Sequence, residues 1–242
     1  MPPVSAEELF RAGKLEDAIE LLGTGLRANP ADARKRTFLF ELLCFAGALE
    51  RADKQLDVLA GASREAGLGA LLYRAALSAE RTRQEMFLKG TIPQGGPTPH
   101  PVSGTLNGRP FQELVDADPR VGGRLEVFAA GQYLWIPFEH IATIRMAPPK
   151  QLRDLLWVPA VVRTGPGFKG LELGEVLLPA LAPLSWQHED SAVRLGRVTE
   201  WVKLEDGTPV PAGQKLLLVD GEELPILELR ELDITQTAGR AG

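Results

Sequence analysis

One cysteine, Cys44, stands in 242 residues, so no intramolecular disulfide can staple this chain, and the expected role of Cys44 is that of a small buried hydrophobe. Histidine is nearly as scarce. His100, His140 and His188 lie at no metal-ligand spacing from one another or from Cys44, which removes the usual transition-metal centres. No apolar run approaches the roughly 18–20 residues a membrane helix needs. Met1-Pro-Pro-Val is not the basic-then-apolar opening of a secretory signal, so the expected location is cytoplasmic, away from membranes. A basic surplus is missing too: residues 1–90 carry 13 basic and 13 acidic side chains, and residues 91–242 carry 14 and 19. With no excess cation to displace counterions, nucleic acid is not an expected partner.

What is present begins with a repeat. Gly13-Lys-Leu-Glu-Asp-Ala18 returns 34 residues later as Gly47-Ala-Leu-Glu-Arg-Ala52, the period of a tetratricopeptide helical hairpin. The glycines fall where two antiparallel helices reverse. Ala18 and Ala52 fall where the second helix presses closest, with Leu22 and Leu56 one turn further on. Asn29-Pro30 stops the second helix, because proline cannot continue it. From Gly67 to Lys89 a third element starts like another first helix but has Arg81 where the glycine should recur, so it is expected as one long capping helix. Two hairpins and a cap rarely bury enough surface to stand alone.

Residues 89–110 hold five glycines and five prolines in 22 positions, the composition of a linker or irregular crossing. Beyond them come short apolar runs, at 132–138, 142–146, 157–162, 175–180, 215–219 and 224–229, which predict strands. Prolines inside four of them point to edges, bulges or early ends. Helices are expected over 120–130, 149–156 and 190–201. The expected molecule is multidomain: a tetratricopeptide-like helical superhelix (1–88), a crossing (89–110), a C-terminal α+β domain with a mainly antiparallel sheet (111–235), and a flexible tail (236–242).

Several constellations invite a catalytic reading and fail on spacing or context. Gly165-Pro-Gly-Phe-Lys-Gly170 has the dinucleotide-loop pattern, but Leu171-Glu-Leu-Gly-Glu-Val reads as a strand, not the helix whose N-terminus must meet a pyrophosphate; a hairpin loop is expected. Ser185, His188 and Glu189 are too close in sequence to converge as a hydrolytic site. Asp116-Ala-Asp118 before a proline suits turn chemistry better than a cation. No catalytic, cofactor or metal residues are assigned, and the expectation is a protein without enzymatic activity or bound cofactor.

Phe38-Leu-Phe-Glu-Leu-Leu-Cys-Phe-Ala-Gly-Ala-Leu-Glu-Arg-Ala-Asp-Lys-Gln-Leu-Asp57, Tyr73-Arg-Ala75 and residues 83–87 in the first part resemble the ImpE family, also called TagJ accessory proteins of bacterial type VI secretion systems. Asp116-Ala-Asp-Pro-Arg120, Tyr133-Leu-Trp-Ile-Pro-Phe-Glu139, Pro148-Pro-Lys-Gln-Leu-Arg-Asp-Leu-Leu-Trp157 and Arg197-Val-Thr-Glu-Trp201 carry the same resemblance through the second. Only the crossing and 164–174 match loosely. The resemblance implies a non-enzymatic adaptor of the contractile sheath, binding the N-terminal helix of the sheath subunit TssB and linked to the AAA+ unfoldase ClpV. A general tetratricopeptide assembly or chaperone module, with the second domain binding the partner, is the alternative.

In ordinary tetratricopeptide geometry the first helix of each hairpin lines the groove. That geometry assigns Glu7, Phe10 and Arg11, then Arg34, Thr37, Glu41, Cys44 and Phe45, then Leu71, Ala75 and Ser78. Phe10, Phe45 and Leu71 would anchor an amphipathic guest and Arg11, Arg34 and Glu41 would set its register, although Phe10 and Phe45 suit a core equally well.

Overall fold

A computed structural model describes residues 4–61, 63–92, 100–165, 168 and 173–235. Five helices come first: α1 (Ala6–Arg11), α2 (Leu15–Ala28), α3 (Ala33–Phe45), α4 (Leu49–Ala60) and α5 (Arg64–Lys89). Their starts are written in the sequence. Ser5 and Glu8 form a reciprocal capping box on α1, Asp32 accepts from Lys35 N at 3.0 Å to cap α3, and Ser63 caps α5 through Ala66 N. The α1–α2 and α3–α4 reversals use Gly13 and Gly47 at φ +76° and +68°. At Gly47 the requirement is double, since a Cβ would also lie 2.5 Å from the Trp186 ring. α5 runs unbroken through Arg81, whose guanidinium instead reaches Asp53 on α4 at 3.2 Å.

The rest is an antiparallel β domain. Its strands are β1 (Gly104–Leu106), β2 (Arg109–Phe111), β3 (Leu114–Asp116), β4 (Arg124–Ala129), β5 (Gln132–Pro137), β6 (Ile141–Met146), β7 (Trp157–Thr164), β8 (Gly174–Pro179), β9 (Glu200–Lys203), β10 (Pro209–Ala212), β11 (Leu216–Val219), β12 (Glu222–Pro225) and β13 (Glu231–Ile234). One short helix, α6 (Ser191–Arg194), precedes β9. Among the described residues the main sheet has the order β2-β1-β13-β6-β7-β8-β4-β5, with β12-β11-β3 and β10-β9 as smaller sheets. An α+β molecule with helices first and an antiparallel sheet second is what the strand and helix patterns predicted.

Four local expectations need correction. The stretch 120–130 holds strand β4, not a helix: Leu125 and Val127 face one core while Glu126 and Phe128 face the other, and Ala130-Gly131, at φ +49° and +78°, closes a tight hairpin to β5. Within 149–156 only a single 3-10 turn forms, Leu152–Leu155, and in 190–201 the helix ends at Arg194 before β9 begins. The crossing 89–110 is not merely a linker. Asn107-Gly108 turns β1 into β2, and β1 pairs with β13, so the end of this segment belongs to the main sheet. Residues 93–99 and the predicted tail 236–242 lie outside the described residues. Pro159 lies in β7, between β6 and β8, and meets the early-end alternative: its ring falls just past the last described β6 pairing, Met146 with Ala160.

Two cores result. One fills the far side of the sheet, with Val127, Ile144, Val158, Val162, Leu178 and Leu232 at its centre. The other is shared: Leu42, Phe45 and Leu77 of the helices pack in one cluster with Phe128, Trp157 and Leu195. Between α5 and the sheet a buried polar network fixes the docking. Arg83 Nε donates to Glu126 Oε1 at 2.7 Å, and Nη2 donates to Glu126 Oε2 at 3.2 Å and to the Leu181 carbonyl at 2.9 Å. Lys215 bridges Glu126 to Asp116, and the Tyr133 hydroxyl donates to Glu126 as well. Burial alone would raise the Glu126 carboxyl; Arg83 and Lys215 outweigh it and hold the group ionised, below the usual carboxylate range.

Candidate functional site

The first helices α1, α3 and α5 lie side by side, with Phe10 edge-on to Phe38 at 5.7 Å and Phe40 tilted against Tyr73 at 5.8 Å. The β domain covers the C-terminal ends of this row. Arg197 donates to the carbonyls of Phe10 (2.6 Å) and Arg11 (2.9 Å) and its guanidinium lies 4.7 Å over the Phe10 ring. Arg153 stacks 4.8 Å over Tyr73 and reaches Glu41 at 3.7 Å. Gly131 of the β4–β5 turn sits against Ala75.

Beside this cover, one face of α3 and of α5 stays open. Arg34, Thr37, Phe38 and Glu41 repeat at helical spacing on one face of α3, where they line a shallow trough of about 350 Å³. Thirty-four residues later the equivalent face of α5 carries Leu68, Leu71, Leu72 and Ala75. Leu68 is 62% exposed, Leu71 61% and Leu72 54%, an apolar surface that folding has not covered. It continues onto the sheet. Side chains alternate along β7, so Val158, Ala160 and Val162 fill the far core while Pro159 and Val161 stay on the helix side, uncovered. Leu72 and Ala75 form one wall of a groove of about 490 Å³, Pro159, Val161 and Leu177 the other, with Arg145 and Glu175 on its rim.

Against this surface the predicted groove residues divide. Glu7, Arg11, Arg34 and Leu71 are exposed and Thr37 is half-buried. Phe10 is half-buried beneath Arg197, and Phe45 is fully buried in the shared core. Phe45 is therefore not an anchor: the β domain closes over the C-terminal half of α3. Cys44 is buried, and burial pushes its thiol well up. Glu41 is only 7% exposed, yet it borders the trough. Phe38, Leu68, Leu72 and the sheet wall were missed; shifting Arg34 and Phe38 by the 34-residue period would have found the two leucines.

The constellations discounted earlier stay apart. Ser185 Oγ donates to the Ala182 carbonyl and accepts from Gly213 N, while His188 faces Glu200 at 3.5 Å. Asp118 is held by Arg120 at 2.7 Å and Asp116 by Lys215. Strands β7 and β8 pair antiparallel, so the glycine-rich segment joins a hairpin, its residues 166–167 and 169–170 lying outside the described ones. Among the described residues no group of three His, Cys, Asp or Glu side chains is placed to hold a metal, and no helix is long and apolar enough to cross a membrane.

The family model for the ImpE protein matches residues 108–233. The chain belongs to the ImpE family. A curated relative, the type VI secretion system accessory component TagJ of Pseudomonas aeruginosa, is 34% identical over 265 aligned residues, covering 96% of this ImpE chain and 92% of the relative. The crystal structure of a Vibrio parahaemolyticus protein superposes with a TM-score of 0.82 at 26% identity, covering 96% of this chain and 98% of that one. The likeness therefore spans the helices, the β domain and their docking together.

Proposed function

We propose that this ImpE protein is a non-enzymatic, cytoplasmic adaptor of a bacterial type VI secretion system. Its helical half acts as a tetratricopeptide-type receptor for the amphipathic N-terminal helix of the sheath subunit TssB, and the resulting complex assists ClpV-linked recycling of contracted sheath. The supporting observation is the open apolar face of Leu68, Leu71 and Leu72 beside the groove, in a chain whose similarity to an accessory component runs end to end. An amphipathic helix laid in an apolar groove is a common recognition mode, read as anchors at helical spacing. Arg34 at the trough and Glu175 beside the groove would orient such a guest.

Co-purification from cells that assemble the secretion system tests the adaptor role. The sheath subunit is expected with the intact protein and is expected to be lost with the double substitution Leu71→Asp, Leu72→Asp. Recovery of the subunit with both proteins alike would move the binding site elsewhere on the molecule.

A further inference from the structure

Glu41 combines two properties that rarely occur together. It is almost wholly buried, and among the described residues its carboxylate accepts no hydrogen bond. Its one ion pair, Oε1 to Arg153 Nη1, is 3.7 Å long, because Arg153 is held over the Tyr73 ring and does not close on the acid. The Glu41 oxygens are not sealed from the solvent of the trough, and a carboxylate this far desolvated, with so long an ion pair, gains from a closer cation. The side chain borders the trough, where Phe38 offers an apolar wall, and Arg34 stands two helical turns away, about 10 Å along α3.

We propose that this trough is a binding site for a basic side chain, lysine or arginine, of the guest helix, with Glu41 accepting the cationic head and Phe38 covering the aliphatic stem. The proposal rests on the adaptor role above for the source of that side chain. A divalent metal does not suit the site, since a single carboxylate beside an arginine offers neither the ligand number nor the net charge. A long organic cation suits it, because a stem and a head match a ring and an acid. The guest helix would carry an acidic residue about two turns from its basic one, to meet Arg34.

Protonation follows. Burial raises the Glu41 carboxyl to about 7, against the pull of Arg153 and helped by Asp154. The charged or titratable groups facing it are Arg153 and Asp154 from the segment before β7, Tyr73 from α5, and Arg34 and Cys44 from α3 itself. An arriving cation stabilises the ionised acid, so binding near neutral pH should expel a proton and should weaken as the pH is lowered.

Two titrations of the full-length protein test this. In the first, Nα-acetyl-lysine methylamide is added at millimolar concentration while the Glu41 carboxyl signal is followed by NMR, assigned by its loss in Glu41→Gln. A saturable shift that lowers the Glu41 midpoint by about half a pH unit or more is expected. No shift, or an equal one with the norleucine analogue, overturns the site. In the second, a synthetic peptide of the TssB N-terminal helix is titrated calorimetrically in buffers of different ionisation heat. Glu41→Gln is expected to weaken it about tenfold and to abolish proton release. Unchanged peptide affinity in Glu41→Gln overturns the proposal and leaves the adaptor role intact. A lysine response without any peptide binding supports the site and removes the adaptor role instead.

Discussion

Phe45 and Leu71 show how position along a first helix decides what a side chain does. The repeat geometry assigns both to one groove, but Phe45 lies where the β domain packs, whereas Leu71 stays exposed. Phe45→Ala should cost about 3–5 kcal/mol of stability in chemical denaturation, because the shared core cannot collapse into the space left. Leu71→Asp should change stability by no more than about 0.5 kcal/mol and weaken guest-helix binding by about 2 kcal/mol or more. Glu41 makes a separate prediction about pH. Burial holds its folded carboxyl up at about 7, above the ordinary glutamate value of 4.5, so the folded state keeps this proton more tightly than the unfolded state does. The contribution of Glu41 is then fully present below about 4.5 and is lost as the pH rises through 7. Urea midpoints of Glu41→Gln measured between pH 4.5 and 7.5 should fall less steeply with pH than those of the parent, and the substitution should be stabilising at the upper end. Parallel pH profiles would show that the acid is not strained.

At the scale of elements, α5 joins the two halves because its faces do different work. Ala70, Leu77 and Ala79 enter the shared core, Arg83 passes into the sheet network, and Leu68, Leu71 and Leu72 remain outside. Arg83→Met should cost about 3–5 kcal/mol in urea denaturation, since it leaves Glu126 buried with Lys215 as its remaining cation. Arg83→Lys should rescue little, because an ammonium cannot span both carboxylate oxygens and the Leu181 carbonyl as the guanidinium does. Very little of this network was legible in the sequence. Arg83 and Glu126 lie 43 residues apart, and an acid inside Arg-Leu-Glu-Val-Phe-Ala resembles the polar face of a helix until its partner strand is known. The helical hairpins were legible because their signals are local: glycine at each reversal and alanine at each close approach. The sheet wall of the groove was not, because the exposure of Pro159 and Val161 depends on where α5 stops covering the sheet.

At the scale of the whole molecule, the β domain closes over one end of the helical layer. It covers Leu42, Phe45 and Leu77 at one end of the first-helix row, through Trp157 and Leu195, and leaves Leu68, Leu71 and Leu72 exposed at the other. That division predicts how the halves behave when the chain is cut. A protease site placed between Ile92 and His100 would sever the connection after α5 and before β1 without removing any described contact across the shared core. The Arg83–Glu126 pair, the Arg197 bonds to α1 and the ring of Trp186 against Gly47 would all still span the cut. Cleaved protein should therefore elute as one species with both fragments in equal amount, and should melt only a few degrees below the intact chain when the concentration is high enough to keep the fragments together. Residues 1–92 expressed alone should instead expose the face that holds Phe45, bind a hydrophobic dye and lose the sharp transition of the intact protein. If the cut halves separate at once in buffer without denaturant, the shared core is not what holds the molecule together, and the guest-binding face would have to be sought on a helical array free of the β domain.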